Sequence, residues 1–197
     1  MNLVRPQLWV LAGGNGAGKS NYYERYLSPR GLPFVNADLL ARKIAPDSPE
    51  VASYEAAQMA AVLRDSLLNQ GFSFCYETVF SHPSKIDFIA KAVARQYRVV
   101  LVYAHLSTPD LNLARVAQRV AEGGHGVPED KVLSRIPRTM QHISKALRLA
   151  ERALLYDNSE TSQPYQLVAE VREGKILTVH HNPLPKWAEE ILVEYRR

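Results

Sequence analysis

The stretch GGNGAGKS, Gly13 to Ser20, constrains this chain more than any other. Four glycines fall in six positions, a lysine and a serine follow, and the whole fits G-x-x-x-x-G-K-[ST]. The flanks suit that motif. QLWVLA before it is an apolar run of strand length, and KSNYYERYL after it reads as a helix. Glycines let the backbone turn tightly, so the N–H groups of Gly13, Gly14, Asn15, Gly16, Ala17 and Gly18 can point inward at phosphate. The helix start adds the positive end of a dipole. Lys19 is spaced to reach the β- and γ-phosphates of a nucleoside triphosphate, and the Ser20 hydroxyl to bind Mg²⁺. A glycine-rich turn with a chance lysine explains the composition but not the strand–loop–helix context.

Such a loop belongs in an α/β fold, and the rest of the chain supplies one. LPFVN reads as a short strand, and PDSPEVASYEAAQMAAVLRDSLLNQG as a helix ending at Gly71. FSFCYETVF is a buried strand and PSKIDFIAKAVARQ an amphipathic helix. YRVVLVYAHL, apolar and β-branched, is expected at the centre of the sheet. STPDLNLARVAQRVAEGG is a helix stopping at Gly123-Gly124, and PEDKVLSR restarts with Pro128 in its first helical position. Pro137 is expected to break or kink the helix at that point, and RTMQHISKALRLAERA reads as a long helix. LLYDNS is a late strand. YQLVAEVREGKILTVH is a hairpin turning at Glu173-Gly174, and LPKWAEEILVEY is a terminal helix. Strands alternating with helices predict one domain over residues 1–197, with a mainly parallel sheet and helices on both faces. Ligands then bind at the carboxyl ends of the strands.

That rule collects the remaining candidates along one edge. Asp38, one strand after the loop, is either a carboxylate that accepts a proton or positions Mg²⁺, or a helix N-cap. Glu77 and Thr78 end the next strand, as an acceptor or metal-shell pair or as a solvated strand end. No D-[DE] pair ends a strand, so a separate Walker B carboxylate is not evident. Arg115 and Arg119 share a helix face, and Arg135 and Arg138 lie beyond GGHG. A helix, a glycine loop and a second helix with arginines on both sides suit a closing lid over about 115–138, or an ordinary basic face. His125 is expected as a loop contact, and Asp157-Asn158 either border an adenine or form a turn.

Composition excludes several classes. The single cysteine, Cys75, rules out an intrachain disulfide framework and a cysteine zinc site, and it fits a reducing, cytoplasmic setting. No apolar run is long enough to span a bilayer. A net charge of +4 suits an anionic ligand, but the basic residues are scattered and lack the interleaved aromatics of a nucleic-acid groove.

LAGGNGAGKS, NAD, ETVFS, RVAQRVAEGGHGVPEDKVLSRIPR and YDNS, taken together, resemble the zeta-toxin-like group of P-loop kinases from about Leu11 to Ser159. The hairpin and helix of about 165–197 lie outside the resemblance. It implies a nucleoside-kinase-like three-layer fold with a helical lid, and transfer of the ATP γ-phosphate to a hydroxyl with Mg²⁺. In zeta toxins the acceptor is a UDP-activated amino sugar, and an antitoxin protein is the implied partner. Carried over, Lys19 and Ser20 hold phosphate and Mg²⁺, and Asp38 is the acceptor base. Glu77 and Thr78 lie beside the acceptor, and Arg119 and Arg135 come from the lid. The strand end reads TVFSHP, without the arginine expected near a UDP-sugar. A polynucleotide-end kinase and a slow nucleotide-binding regulatory module are the alternatives.

Overall fold

The computed structural model describes residues 5–124 and 126–195. Its centre is the β-branched run predicted for that place. Strand β4 (Arg98–His105) is buried along its whole length after Arg98, as a strand covered on both faces must be. Around it lie β1 (Gln7–Ala12), β2 (Phe34–Val35), β3 (Phe74–Thr78), β5 (Arg152–Asp157), β6 (Gln166–Arg172) and β7 (Lys175–Val179). The sheet order is β2-β3-β1-β4-β5-β6-β7. The first five strands are parallel, and the β6–β7 hairpin is antiparallel. The chain passes from β1 to β2 and β3 on one side, then crosses to β4 on the other. This reversal opens a crevice at the carboxyl ends, directly above β1. Ala12 is level with Thr78 on β3 and with Tyr103 on β4, so the glycine loop emerges between those two strands.

Alternation along the strands divides two cores. Leu8 and Val10 join Phe74, Tyr76, Ile89, Leu101, Ile143 and Trp187 on one face. That face is covered by α3 (Ser53–Asn69), α4 (Ser84–Ala94), α6 (Glu129–Ala146) and α7 (Lys186–Leu192). Trp9, Leu11 and Cys75 join Tyr22, Leu27 and Leu154 on the other, smaller face, under α1 (Lys19–Tyr22) and the π turn that continues it over Tyr23–Leu27. Helices α2 (Ala37–Ile44) and α5 (Pro109–Ala121) complete the set. No helix among the described residues is long and apolar enough to cross a membrane.

Three local expectations fail. Pro137 does not interrupt α6, which runs unbroken through it. Pro137 is exposed, and buried Val132 before it and Thr139, His142, Ile143 and Ala146 after it hold both halves against the protein. One missing N–H does not outweigh that burial. The helix then stops at Ala146 rather than continuing through LRLAERA, because Arg152 and Ala153 pair with Val100 and Leu101 and begin β5. Pro128 is the N-cap of α6, with an extended ψ of 137°, rather than its first helical residue. His125 lies outside the described residues.

Candidate active site

The glycine loop fits its surroundings closely enough to demand glycine. A Cβ on Gly13 would lie 2.3 Å from the Ala104 carbonyl of β4, and φ there is +148°. A Cβ on Gly18 would lie 2.4 Å from Asn158 Nδ2. Side chains with no motif of their own brace the loop. Asn112 Nδ2 donates to Asn15 O at 2.6 Å, and Tyr165 Oη to Gly18 O at 2.6 Å. Burial pushes the Tyr165 phenol up to about 12, so it stays a donor. Asn158 Nδ2 donates to Ala17 O at 3.0 Å, while its Oδ1 accepts from Tyr165 N at 3.1 Å. The strand-end position of Asn158 suggests a place beside a nucleotide base. Its amide braces the loop, and the residue lines the loop-side cavity. Asn112 and Tyr165 give no signal in the sequence, because their value lies in a fold contact 97 and 147 positions away in the chain.

Glu77 at the end of β3 is the joint of the site. Ser20 Oγ donates to Glu77 Oε2 at 2.6 Å, and Asn36 Nδ2 donates to the same oxygen at 2.8 Å. Lys19 Nζ, largely buried, lies 3.6 Å from Glu77 Oε1 and donates to Gly14 O at 2.9 Å. Glu77 thus contacts the phosphate-loop serine and lysine directly, rather than standing only beside an acceptor. Its carboxylate also stands on the strand next to the loop, where no D-[DE] pair announced one. Strand adjacency, not sequence spacing, makes it visible. Thr78 turns away from that role: its Oγ1 accepts from Phe80 N at 3.1 Å. Phe80 has φ +66° with its ring fully buried, a strained turn that packing maintains. Thr139 of α6 anchors the same turn through Val79 O at 2.8 Å.

Asp38 lies in the first turn of α2, exposed, at the wall of the same cavity. The N-cap is Asn36, whose Oδ1 accepts from Asp38 N at 2.8 Å and Leu39 N at 3.2 Å. The capping alternative for Asp38 therefore falls. No described residue hydrogen-bonds its carboxylate.

The arginines separate. Arg119 on α5 buries Nε and Nη2 with no hydrogen-bond partner among the described residues. Buried guanidinium donors without partners are costly, and an anion relieves that cost. Arg135 of α6 reaches back to the loop, Nη1 to Asn15 Oδ1 at 3.4 Å. Arg115 donates to Ser159 O at 3.2 Å, while Arg138 is exposed and bonds within its own helix to Ser134 O at 2.9 Å. Gly124 is a contact glycine as much as a hinge, since a Cβ there would meet Arg119 O at 2.7 Å.

Two cavities meet at this centre. One, of about 570 Å³, is lined by Asn36, Asp38, Thr78 and Arg135. The other, of about 550 Å³, is lined by Gly16, Gly18, Ser20, Arg115 and Tyr165. Lys19, Glu77 and Arg119 line both. Lys19 and Arg119 can hold phosphate between the two spaces. Ser20 and Glu77 offer hard oxygen donors, which suit a magnesium ion.

Comparison with known proteins fits this geometry. A protein of Haemophilus influenzae with no described function is 32% identical over 138 residues, which are 66% of this chain and 97% of that protein. The crystal structure of AvrRxo1-ORF1:-ORF2 with ATP superposes with a TM-score of 0.71 at 20% identity, covering 89% of this chain. This chain spans 61% of that longer one. The PezAT toxin–antitoxin system of Streptococcus pneumoniae gives a TM-score of 0.61 at 15% identity, over 86% of this chain and 73% of that one. Likeness at such low identity speaks for the fold. The zeta toxin family model matches residues 2–167, most of the chain. The chain belongs to the zeta toxin family and is built as a P-loop kinase.

Proposed function

We propose that this protein transfers the γ-phosphoryl group of ATP to a hydroxyl of a small molecule, with a UDP-activated amino sugar as the acceptor that best fits the family. The observation that carries the reading is the meeting of two cavities at Lys19, Glu77 and Arg119. A hydrolase or a switch needs one nucleotide space. A transferase needs a second space opening onto the same phosphate.

In this reading ATP lies in the cavity beside Gly16, Gly18 and Tyr165, its phosphates running along the loop toward Lys19. Ser20 and Glu77 would hold Mg²⁺, which when bound neutralises charge on the β- and γ-phosphate oxygens. The acceptor occupies the Asp38 side. Its hydroxyl gives a proton to the Asp38 carboxylate as the oxygen attacks the γ-phosphorus. The bond to the β-bridging oxygen breaks, and ADP leaves. Arg119 and Arg135 stabilise charge spreading over the transferred group. Thr78, its hydroxyl held in a turn, shapes the acceptor wall. An antitoxin protein as partner is part of the same proposal, supported by the likeness to a protein of the PezAT toxin–antitoxin system and to the AvrRxo1-ORF1:-ORF2 complex.

The test is mass spectrometry of UDP-N-acetylglucosamine incubated with enzyme, ATP and Mg²⁺, beside short RNA and DNA oligomers. A phosphorylated sugar nucleotide, absent with Lys19→Ala, is the expected product. Phosphate on an oligomer end alone would replace the small-molecule reading with a polynucleotide kinase.

A further inference from the structure

The acceptor-side cavity holds more positive charge than ATP can use. Six cationic side chains line it (Lys19, Arg64, Lys85, Arg119, Lys131 and Arg135) against the three carboxylates of Asp38, Glu50 and Glu77. Lys19, Arg119 and Arg135 are accounted for by the transferred phosphate. Arg64 and Lys85 come from elsewhere, the middle of α3 and the first turn of α4.

Their surroundings are unusual for structural cations. The Arg64 guanidinium lies over the rings of Tyr76, at 4.9 Å, and Phe88, at 5.0 Å. Those faces orient it. Its Nε, however, is buried with no hydrogen-bond partner among the described residues, and Tyr76 Oη beside it is in the same condition. Burial, and the neighbouring Arg64 charge, lower the Lys85 ammonium to about 8. No described carboxylate forms an ion pair with either cation. Two half-buried like charges, neither ion-paired among the described residues, thus share the wall of one cavity. Cation–π contact alone would explain Arg64's position over the rings. It does not explain why a second cation is held near it on the wall of the same open space.

We propose that Arg64 and Lys85 form a binding subsite for an oxyanion, and that the acceptor is an anionic hydroxylated molecule whose phosphate or carboxylate docks there. The subsite deepens the transferase reading and rests on it for the word acceptor. The anion site itself stands on the side chains above.

The experiment uses the whole chain with its glycine loop filled by a non-hydrolysable ATP analogue and Mg²⁺, so that ordinary phosphate binding at the loop is blocked. Inorganic phosphate and, separately, acetate are titrated in, with thermal stabilisation read as affinity. Saturable binding of at least one anion is expected. Arg64→Gln and Lys85→Gln should each weaken it tenfold or more, and Arg64→Lys should restore part of it. The arm that binds more tightly names the anion class. No saturable binding, or equal binding by wild type and both glutamine variants, overturns the proposal. Lys85→Gln, at a half-buried position, keeps the test valid should Arg64→Gln fail to fold. Anion binding that persists while no acceptor is ever phosphorylated would sink the transferase reading and leave the subsite standing.

Discussion

Ser20 and Glu77, 57 positions apart, share a 2.6 Å hydrogen bond that ties the phosphate loop to the neighbouring strand. Asn36 at the start of α2 and Lys19 converge on the same carboxylate. One side chain therefore sets the relative positions of the loop, the lysine and the helix that carries Asp38. Glu77→Gln keeps the shape and removes the charge. Loss of an orienting or metal-shell carboxylate typically costs about 10–100-fold in metal affinity or activity. The expected result is a rate that needs more Mg²⁺ to saturate, with nucleotide binding in the absence of Mg²⁺ little changed. An unaltered Mg²⁺ titration would remove Glu77 from the metal site.

Asp38 and Asn36 separate chemistry from folding. Asp38→Asn should lower kcat by about 10²–10⁴-fold, the usual cost of losing a general base. Its melting temperature should hold, because Asp38 is exposed and its side chain caps nothing. Asn36→Ala should do the reverse first, destabilising the protein by about 1 kcal/mol through the lost cap. Kinetics and thermal melts on both variants check the contrast. A melting loss in Asp38→Asn matching that of Asn36→Ala would return Asp38 to a structural role.

Among the arginines, the buried unpartnered one should matter most. Arg119→Ala is expected to lower kcat by about 10²–10³-fold, the scale of a lost transition-state donor. KM for ATP should rise less, because the contact tightens as charge develops. Arg138→Ala, on the outer face of α6, should leave both parameters near wild type. Steady-state kinetics with varied ATP distinguishes these outcomes. Equal losses from both variants would point to a general electrostatic field.

Acid should destabilise the protein through His105. Its ring is buried against Trp187, with centroids 4.6 Å apart, and Nδ1 lies 2.8 Å from Tyr103 Oη. Burial lowers its pKa from 6.5 to about 4, against the opposing pull of Asp157. The folded state thus takes up the proton less readily than the unfolded chain. Stability is full above about pH 6.5 and falls as pH drops toward 4, by up to about 3 kcal/mol from this group. Denaturant melts across that window should flatten in His105→Gln. An unchanged slope would mean that other groups carry the acid sensitivity.

Local patterns carried the fold a long way. The run of apolar residues at β4, the strand–loop–helix around Gly13 to Ser20 and the turn at Glu173-Gly174 each reach their structure through neighbours a few positions away. Pro137 misled because its helix is held by tertiary burial on both sides, which outweighs one lost backbone bond. At the site, Lys19, Ser20 and Arg119 could be read from spacing and residue type. Glu77's attachment to Ser20 could not, since it depends on β3 lying next to β1. Asn158's strand-end place is legible, but its bond to the Ala17 carbonyl is not, because that contact joins residues 141 positions apart. Arg64 gave no signal on a helix rich in alanine and leucine. Only the rings of Tyr76 and Phe88 beneath it reveal where its charge is held.

Transfer of phosphate from ATP, across the junction of the two cavities, to a hydroxyl of a small molecule is read by incubating the protein with γ-labelled ATP, Mg²⁺ and a protein-free metabolite extract and following the label. The expected result is label in a new organic phosphate ester that is made by wild type, lost in Lys19→Ala and strongly reduced in Asp38→Asn. Label recovered only as inorganic phosphate, at the same rate in wild type and Asp38→Asn, would contradict it.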